Sequence, residues 1–93
     1  MELIHFKPGA ELTFNNVVSL RDKLYLSLMG DSCNRFCLDL SDVTHCDSAG
    51  LALLIEAKKL CRHNNKTFEV IGISQETQSL VEFCGVESIL DII

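Results

Sequence analysis

The stretch from Arg35 to Leu60, RFCLDLSDVTHCDSAGLALLIEAKKL, constrains the fold more than any other part of the chain. It opens on an extended segment, with Phe36, Leu38 and Leu40 on one face and Cys37 and Asp39 on the other. After a loop from Ser41 to Cys46, Asp47 is placed to cap a helix running to about His63, with Asn64-Asn65 as its stop. The flanking segments repeat the alternation. Glu2 to Phe6 reads as a short strand ended by Pro8-Gly9, and Glu11 to Phe14 as a second. Asn15 to Met29 reads as a helix, with Val17, Leu20, Leu24 and Leu28 at helical spacing and Gly30 as its stop. Thr67 to Ile71 is a further strand. Ser74 caps a third helix that stops at Gly85, with Leu80, Val81 and Cys84 as its apolar stripe. Val86 to Ile93 is a short apolar tail, strand or helix. Strands that alternate with helices are joined mostly by crossovers, so the pattern predicts an α/β fold with helices packed on a sheet.

Ninety-three residues suffice for one domain, 1–93, and 47% hydrophobic residues fill one modest core. No run approaches the ~18 apolar residues of a membrane span. The start, MELIHFKPGAEL, lacks a basic region followed by a long apolar stretch, so a cytoplasmic protein without a signal peptide or direct membrane insertion is expected. A net charge of −5 argues against nucleic acid as the partner. Four of the eight basic residues, Lys58, Lys59, Arg62 and Lys66, nevertheless fall close together. The five cysteines, Cys33, Cys37, Cys46, Cys61 and Cys84, are odd in number and include no C-x-x-C pair. Reduced, mostly buried thiols are expected, with no disulfide, no cofactor and no metal. The grouping Cys33, Cys37, His45 and Cys46 matches no usual zinc spacing.

The chemistry concentrates at the strand-to-helix junction, Asp47, Ser48, Ala49 and Gly50. Ser48 falls in the first helical turn, where backbone N–H groups lack partners and the helix dipole is positive. Three readings compete. Asp47 and Ser48 simply cap the helix. Alternatively, Ser48 is a nucleophile, but Cys46-Asp47-Ser48-Ala49-Gly50 is only half of a G-x-S-x-G elbow, and the candidate bases are limited to His5, His45 and His63. In the third reading Ser48 is a partner-contacting or phosphorylatable hydroxyl, because a phosphate is tolerated at a helix N-terminus. Gly50 leaves space there for another backbone or a bulky group. On a helical wheel, Gly50, Leu53, Leu54, Ala57, Leu60 and Cys61 share the sheet-facing stripe. Leu51 and Ile55 fall outside it beside Lys58 and Arg62. That arrangement reads either as packing on a neighbouring helix or as a binding patch descending from Ser48.

The pattern CLDLSDVTHCDSAGLALLIEAKKLCRHNNKTFEVIGIS resembles a STAS domain, the fold of bacterial anti-sigma factor antagonists. The resemblance runs from Leu12-Thr13-Phe14 to Cys84-Gly85-Val86-Glu87, and its most specific element is D-S-x-G, Asp47 to Gly50. It implies a sheet of four to five mixed strands with helices packed on it, and no enzymatic activity. It also implies that Ser48 matches the serine that a partner kinase phosphorylates in the antagonists. Asp47 to Leu54 looks most like the stand-alone STAS subunit of the Mla phospholipid-transport ABC system. That likeness implies that the chain binds and regulates the transporter's cytoplasmic ATPase and has a role in outer-membrane lipid asymmetry. An anti-sigma factor kinase is the alternative partner. The surface expected for either comprises Asp47, Ser48, Ala49, Gly50, Leu51, Ile55, Lys58 and Arg62. Lys7-Pro8-Gly9 departs from the family pattern and leaves the register of the first strands open.

Overall fold

Phe36 is wholly buried, and four consecutive residues after Arg35 are buried with it, as a strand with neighbours on both edges requires. The computed structural model describes residues 3–30 and 33–90. Its elements in chain order are β1 (Ile4–Phe6), β2 (Glu11–Leu12), α1 (Val17–Met29), β3 (Arg35–Asp39) and β4 (His45–Cys46), then α2 (Ser48–His63), β5 (Thr67–Ile71), α3 (Gln75–Cys84) and α4 (Glu87–Leu90). The main sheet has the order β1-β3-β5, and both of its pairings are parallel. Phe6, Phe36 and Phe68 line up across it, with ring centroids 6.2 and 6.1 Å apart. On the opposite face His5 Nε2 lies 3.0 Å from Asp39 Oδ2. The Asp39 carboxyl is held down to about 2, chiefly by the hydroxyl and amide of Ser41.

The α/β architecture is as expected, but the sheet is smaller. Among the described residues it is a three-stranded parallel sheet with a separate two-stranded parallel pair, β2-β4, instead of one mixed sheet of four to five strands. The cause lies at Pro8-Gly9. Proline offers no ladder N–H and Gly9 has φ +98°, so the chain turns out of β1 before β2 can continue it. Asn15 and Asn16 are not helical. Asn16 is the N-cap position of α1, and its side-chain amide donates to the Glu11 carbonyl at 2.7 Å. The third helix is capped as its sequence predicts. Ser74 Oγ accepts from the Thr77 amide at 3.1 Å, and Gly85 closes the end at φ +71°. The apolar tail forms α4. Glu2 and residues 91–93, which the strand and tail readings included, lie outside the described residues.

Two of the residues expected on the binding surface belong to the core. Gly50 is buried, and the backbone it admits is the chain's own. A Cβ on Gly50 would stand 2.0 Å from the Leu12 carbonyl oxygen of β2. Leu51 is 3% exposed and joins the cluster that contains Leu20, Leu24 and Leu54. The wheel placed it outside because it assumed one buried face, whereas α2 is flanked on both sides. Glu56 meets Arg21 and Tyr25 of α1, and Lys58 on the other flank donates to the Ile89 carbonyl of α4. A wedged helix buries a wider arc than its sheet-facing stripe.

Two stability outcomes follow from this packing. In an exposed helix, Gly→Ala stabilises by about 1 kcal/mol. Gly50→Ala is expected to destabilise instead, by about 3 kcal/mol, because the carbonyl of Leu12 cannot retreat without breaking the β2-β4 pair. Leu51→Asp is expected to lose at least about 3 kcal/mol, since it buries an unpaired carboxylate. Urea titrations read both, and a Leu51→Asp domain as stable as the wild type would return that side chain to the surface.

Candidate functional site

The N-terminus of α2 is fixed by one carboxylate. Asp47 Oδ1 accepts the Gly50 amide at 3.0 Å as the helix cap, and Oδ2 accepts the Phe14 amide at 3.1 Å from the loop before α1. Burial pushes the Asp47 carboxyl up, but the amides of Phe14, Gly50 and Ala49 outweigh it and hold the group below its ordinary value. The loop is braced in turn. The Thr13 hydroxyl and the Asn15 side-chain amide both donate to Glu11 Oε2, at 2.5 and 3.1 Å, and lower the Glu11 carboxyl. Leu12 closes the arrangement by accepting the Asp47 amide at 3.3 Å.

This clamp presents Ser48. It is the first residue of α2, it is exposed, and its hydroxyl bonds none of the described residues. Ala49 beside it is half-buried. A groove of about 400 Å³ runs past the junction, lined by Thr13, His45, Cys46 and Asp47 on one side and Glu76, Thr77 and Leu80 of α3 on the other. Burial pushes the Cys46 thiol up to about 11, and the Asp47 charge adds to this, so the sulfur is a poor nucleophile at neutral pH. The groove and Ser48 lie where the parallel strands end and the helices begin, the usual edge for binding in α/β folds.

The residues expected as one surface separate into two. Asp47, Ser48 and Ala49 are at the start of α2. Ile55 lies at its middle and Lys58 and Arg62 in its second half, and Arg62 is about 20 Å from Ser48 at 1.5 Å per residue. Gly50 and Leu51, between them, are buried. Sequence reasoning missed Phe14 and Val18, which stand 72% and 70% exposed, Phe14 directly beside Asp47. Their signal was present. Val18, Leu26 and Met29 lie off the Leu20, Leu24, Leu28 stripe, so α1 is apolar on both sides.

The geometry does not assemble a hydrolase elbow. The His45 ring pairs with the Thr44 hydroxyl at 3.1 Å, the His5 ring with Asp39, and His63 is at the far end of α2. Among the described residues no three His, Cys, Asp or Glu side chains are grouped to hold a metal, and Cys33, Cys37, His45 and Cys46 do not converge. No described helix is long and apolar enough to cross a membrane. What the arrangement offers is a hydroxyl on a rigid helix start, open to a partner and able to carry an anion.

Known proteins resemble the chain in sequence and in fold. The family model described as "Mlab, STAS domain" matches residues 9–91. The anti-sigma-B factor antagonist of Staphylococcus aureus (strain NCTC 8325 / PS 47) is 27% identical over 86 residues, spanning 92% of this chain and 79% of that protein. In fold, the NMR structure of the protein TM1081 superposes with a TM-score of 0.80 at 19% identity, covering 98% of this chain and 73% of that one. The anti-sigma factor antagonist SpoIIAA in its unphosphorylated form superposes at 0.77 with 15% identity, covering 94% and 76%. With the match running from Gly9 through the D-S-A-G junction and beyond α4, the chain belongs to the STAS domain family.

Proposed function

We propose that this chain is a non-catalytic, cytoplasmic STAS protein of the anti-sigma factor antagonist kind, which binds a protein partner through the surface around Ser48 and is switched by phosphorylation there. The observation that carries the reading is the exposed, unengaged Ser48 hydroxyl at the start of α2, in a chain 27% identical to an anti-sigma-B factor antagonist. The partner is a kinase-like anti-sigma factor. It transfers the terminal phosphoryl group of ATP to Ser48 Oγ, releasing ADP and the hydroxyl proton. The phosphate adds close to two negative charges beside Asp47 at the contact surface. The helix N-terminus tolerates that charge, so the fold persists while the interface is disrupted. Exposed Phe14, whose amide is bound to Asp47, supplies apolar area close to the junction, as an interface core requires.

A second reading rests on the family model, whose description names Mlab. In it the same surface contacts the ATPase of a phospholipid-transport ABC system, and Ser48 acts unmodified. The two readings share a site and differ in the partner and in the phosphate.

The expected outcomes are specific. Ser48→Ala weakens partner binding about fivefold, the loss of one hydrogen bond worth about 1 kcal/mol. Ser48→Asp weakens it more than about tenfold, with thermal stability at or above that of the wild type, because an acid in the first helical turn is favourable. In cells, phosphopeptide mapping finds phosphate on Ser48, and the chain co-purifies with a kinase-like protein. Co-purification with an ABC ATPase and an unmodified Ser48 supports the transport reading. If both variants bind the native partner as the wild type does, the surface is elsewhere.

A further inference from the structure

The second half of the sequence-predicted surface forms a hollow, and its chemistry differs from that around Ser48. Ile55, Lys58, Lys59 and Arg62 of α2, with Ser88 and Ile89 of α4, line a cavity of about 280 Å³. A second hollow of about 280 Å³, lined by Lys59, Arg62 and His63, adjoins it through the two shared side chains. The hydrogen bond from Lys58 to the Ile89 carbonyl holds α4 alongside.

The charge pattern is unusual for a chain of net charge −5. Lys7, Arg21 and Arg35 each face a carboxylate: Asp39 and Asp42, Glu56, and Glu69 respectively. Lys59 and Arg62 form no ion pair with any described residue. Glu56, in the same stretch of helix, is held on the other flank by Arg21 and Tyr25. Like charges three or four residues apart on a helix repel, as Lys58 and Lys59 do with Arg62. The negative end of the helix dipole accounts for Arg62 in the last turn but not for Lys59 before it. Nor does it account for a cavity with an aliphatic wall. Lys59 and Arg62, which no described carboxylate pairs, line a small hollow together with Ile55 and Ile89, and such a lining suits a compact anion joined to a few carbons.

We propose that the hollow between the second half of α2 and α4 binds a phosphate-bearing small molecule or headgroup, its oxygens on Lys59 and Arg62 and its carbons on Ile55 and Ile89. The Ser88 hydroxyl is a further donor on the α4 side. The site is independent of Ser48, from which Arg62 is separated by about 20 Å of helix.

Amide NMR of the full chain tests this with two probes, glycerol 3-phosphate and phosphatidylglycerol vesicles, each against a phosphate-free control, glycerol for the first and digalactosyldiacylglycerol vesicles for the second. The expected result is that residues 55–63 and 88–89 shift while Ser48 and Phe14 do not, with a dissociation constant of about 1 mM for the small ligand. The double variant Lys59→Gln, Arg62→Gln changes two exposed side chains, melts as the wild type does, and weakens binding at least about tenfold. Saturation by glycerol 3-phosphate identifies a free phosphate ester as the source. Perturbation of the same amides mainly by phosphatidylglycerol identifies a lipid headgroup. The proposal is overturned if neither probe moves these amides. It is also overturned if the double variant binds like the wild type, or if Lys23→Gln on α1 loses as much binding as the double variant does.

Discussion

The approach of α2 to β2 is the constraint on which the rest depends. A helix axis usually stays clear of a neighbouring backbone by the width of its side chains, but at Gly50 the spacing is so small that even a methyl group would overlap the Leu12 carbonyl. That proximity lets the Asp47 carboxylate reach both its own helix and the amide of Phe14, which is 33 residues away in sequence. One residue without a side chain and one with a short anionic one thereby fix the β2–α1 loop against the start of α2. Without this clamp, Ser48 would stand on a fraying helix end. With it, the Ser48 backbone is held at the start of α2 while its side chain stays exposed.

The same wedging decides what α2 can present. Packed between α1 and α4 and laid on the sheet, the helix has little free surface in its middle, where Gly50, Leu51, Leu53, Leu54 and Ala57 are buried. Ala52 is the one exposed residue between Ala49 and Lys58, and the larger open surfaces are at the two ends. The N-terminal end offers an exposed hydroxyl on a turn capped by Asp47, with exposed Phe14 on the adjoining loop; the C-terminal end offers cations over an aliphatic hollow. These are different chemistries for different ligands. A continuous patch from Ser48 to Arg62, drawn on a wheel, is divided by the very residues that make the helix part of the core.

The cysteines fit a similar division. Cys37 and Cys61 are buried, and burial raises both thiols, Cys61 to about 11. They act as small apolar side chains in the interior.

The sequence by itself determined the alternation of strands and helices, the caps at Asp47 and Ser74, the stop at Gly85, and the presence of Ser48 in the first turn of α2. These are local properties, set by hydrogen bonds within four residues and by a periodicity read along one segment. The D-S-A-G junction also carried the family. Only the tertiary structure decided that the main sheet has three parallel strands, that Gly50 is filled by Leu12, that Leu51 is core, and that Phe14, tied to Asp47, and Val18 are exposed. Each of these depends on which distant segment covers a given face. A helical wheel records the direction in which a side chain points but not what stands in that direction. For α2 the answer came from α1, β2 and α4, segments separated from it by tens of residues and brought together only by folding.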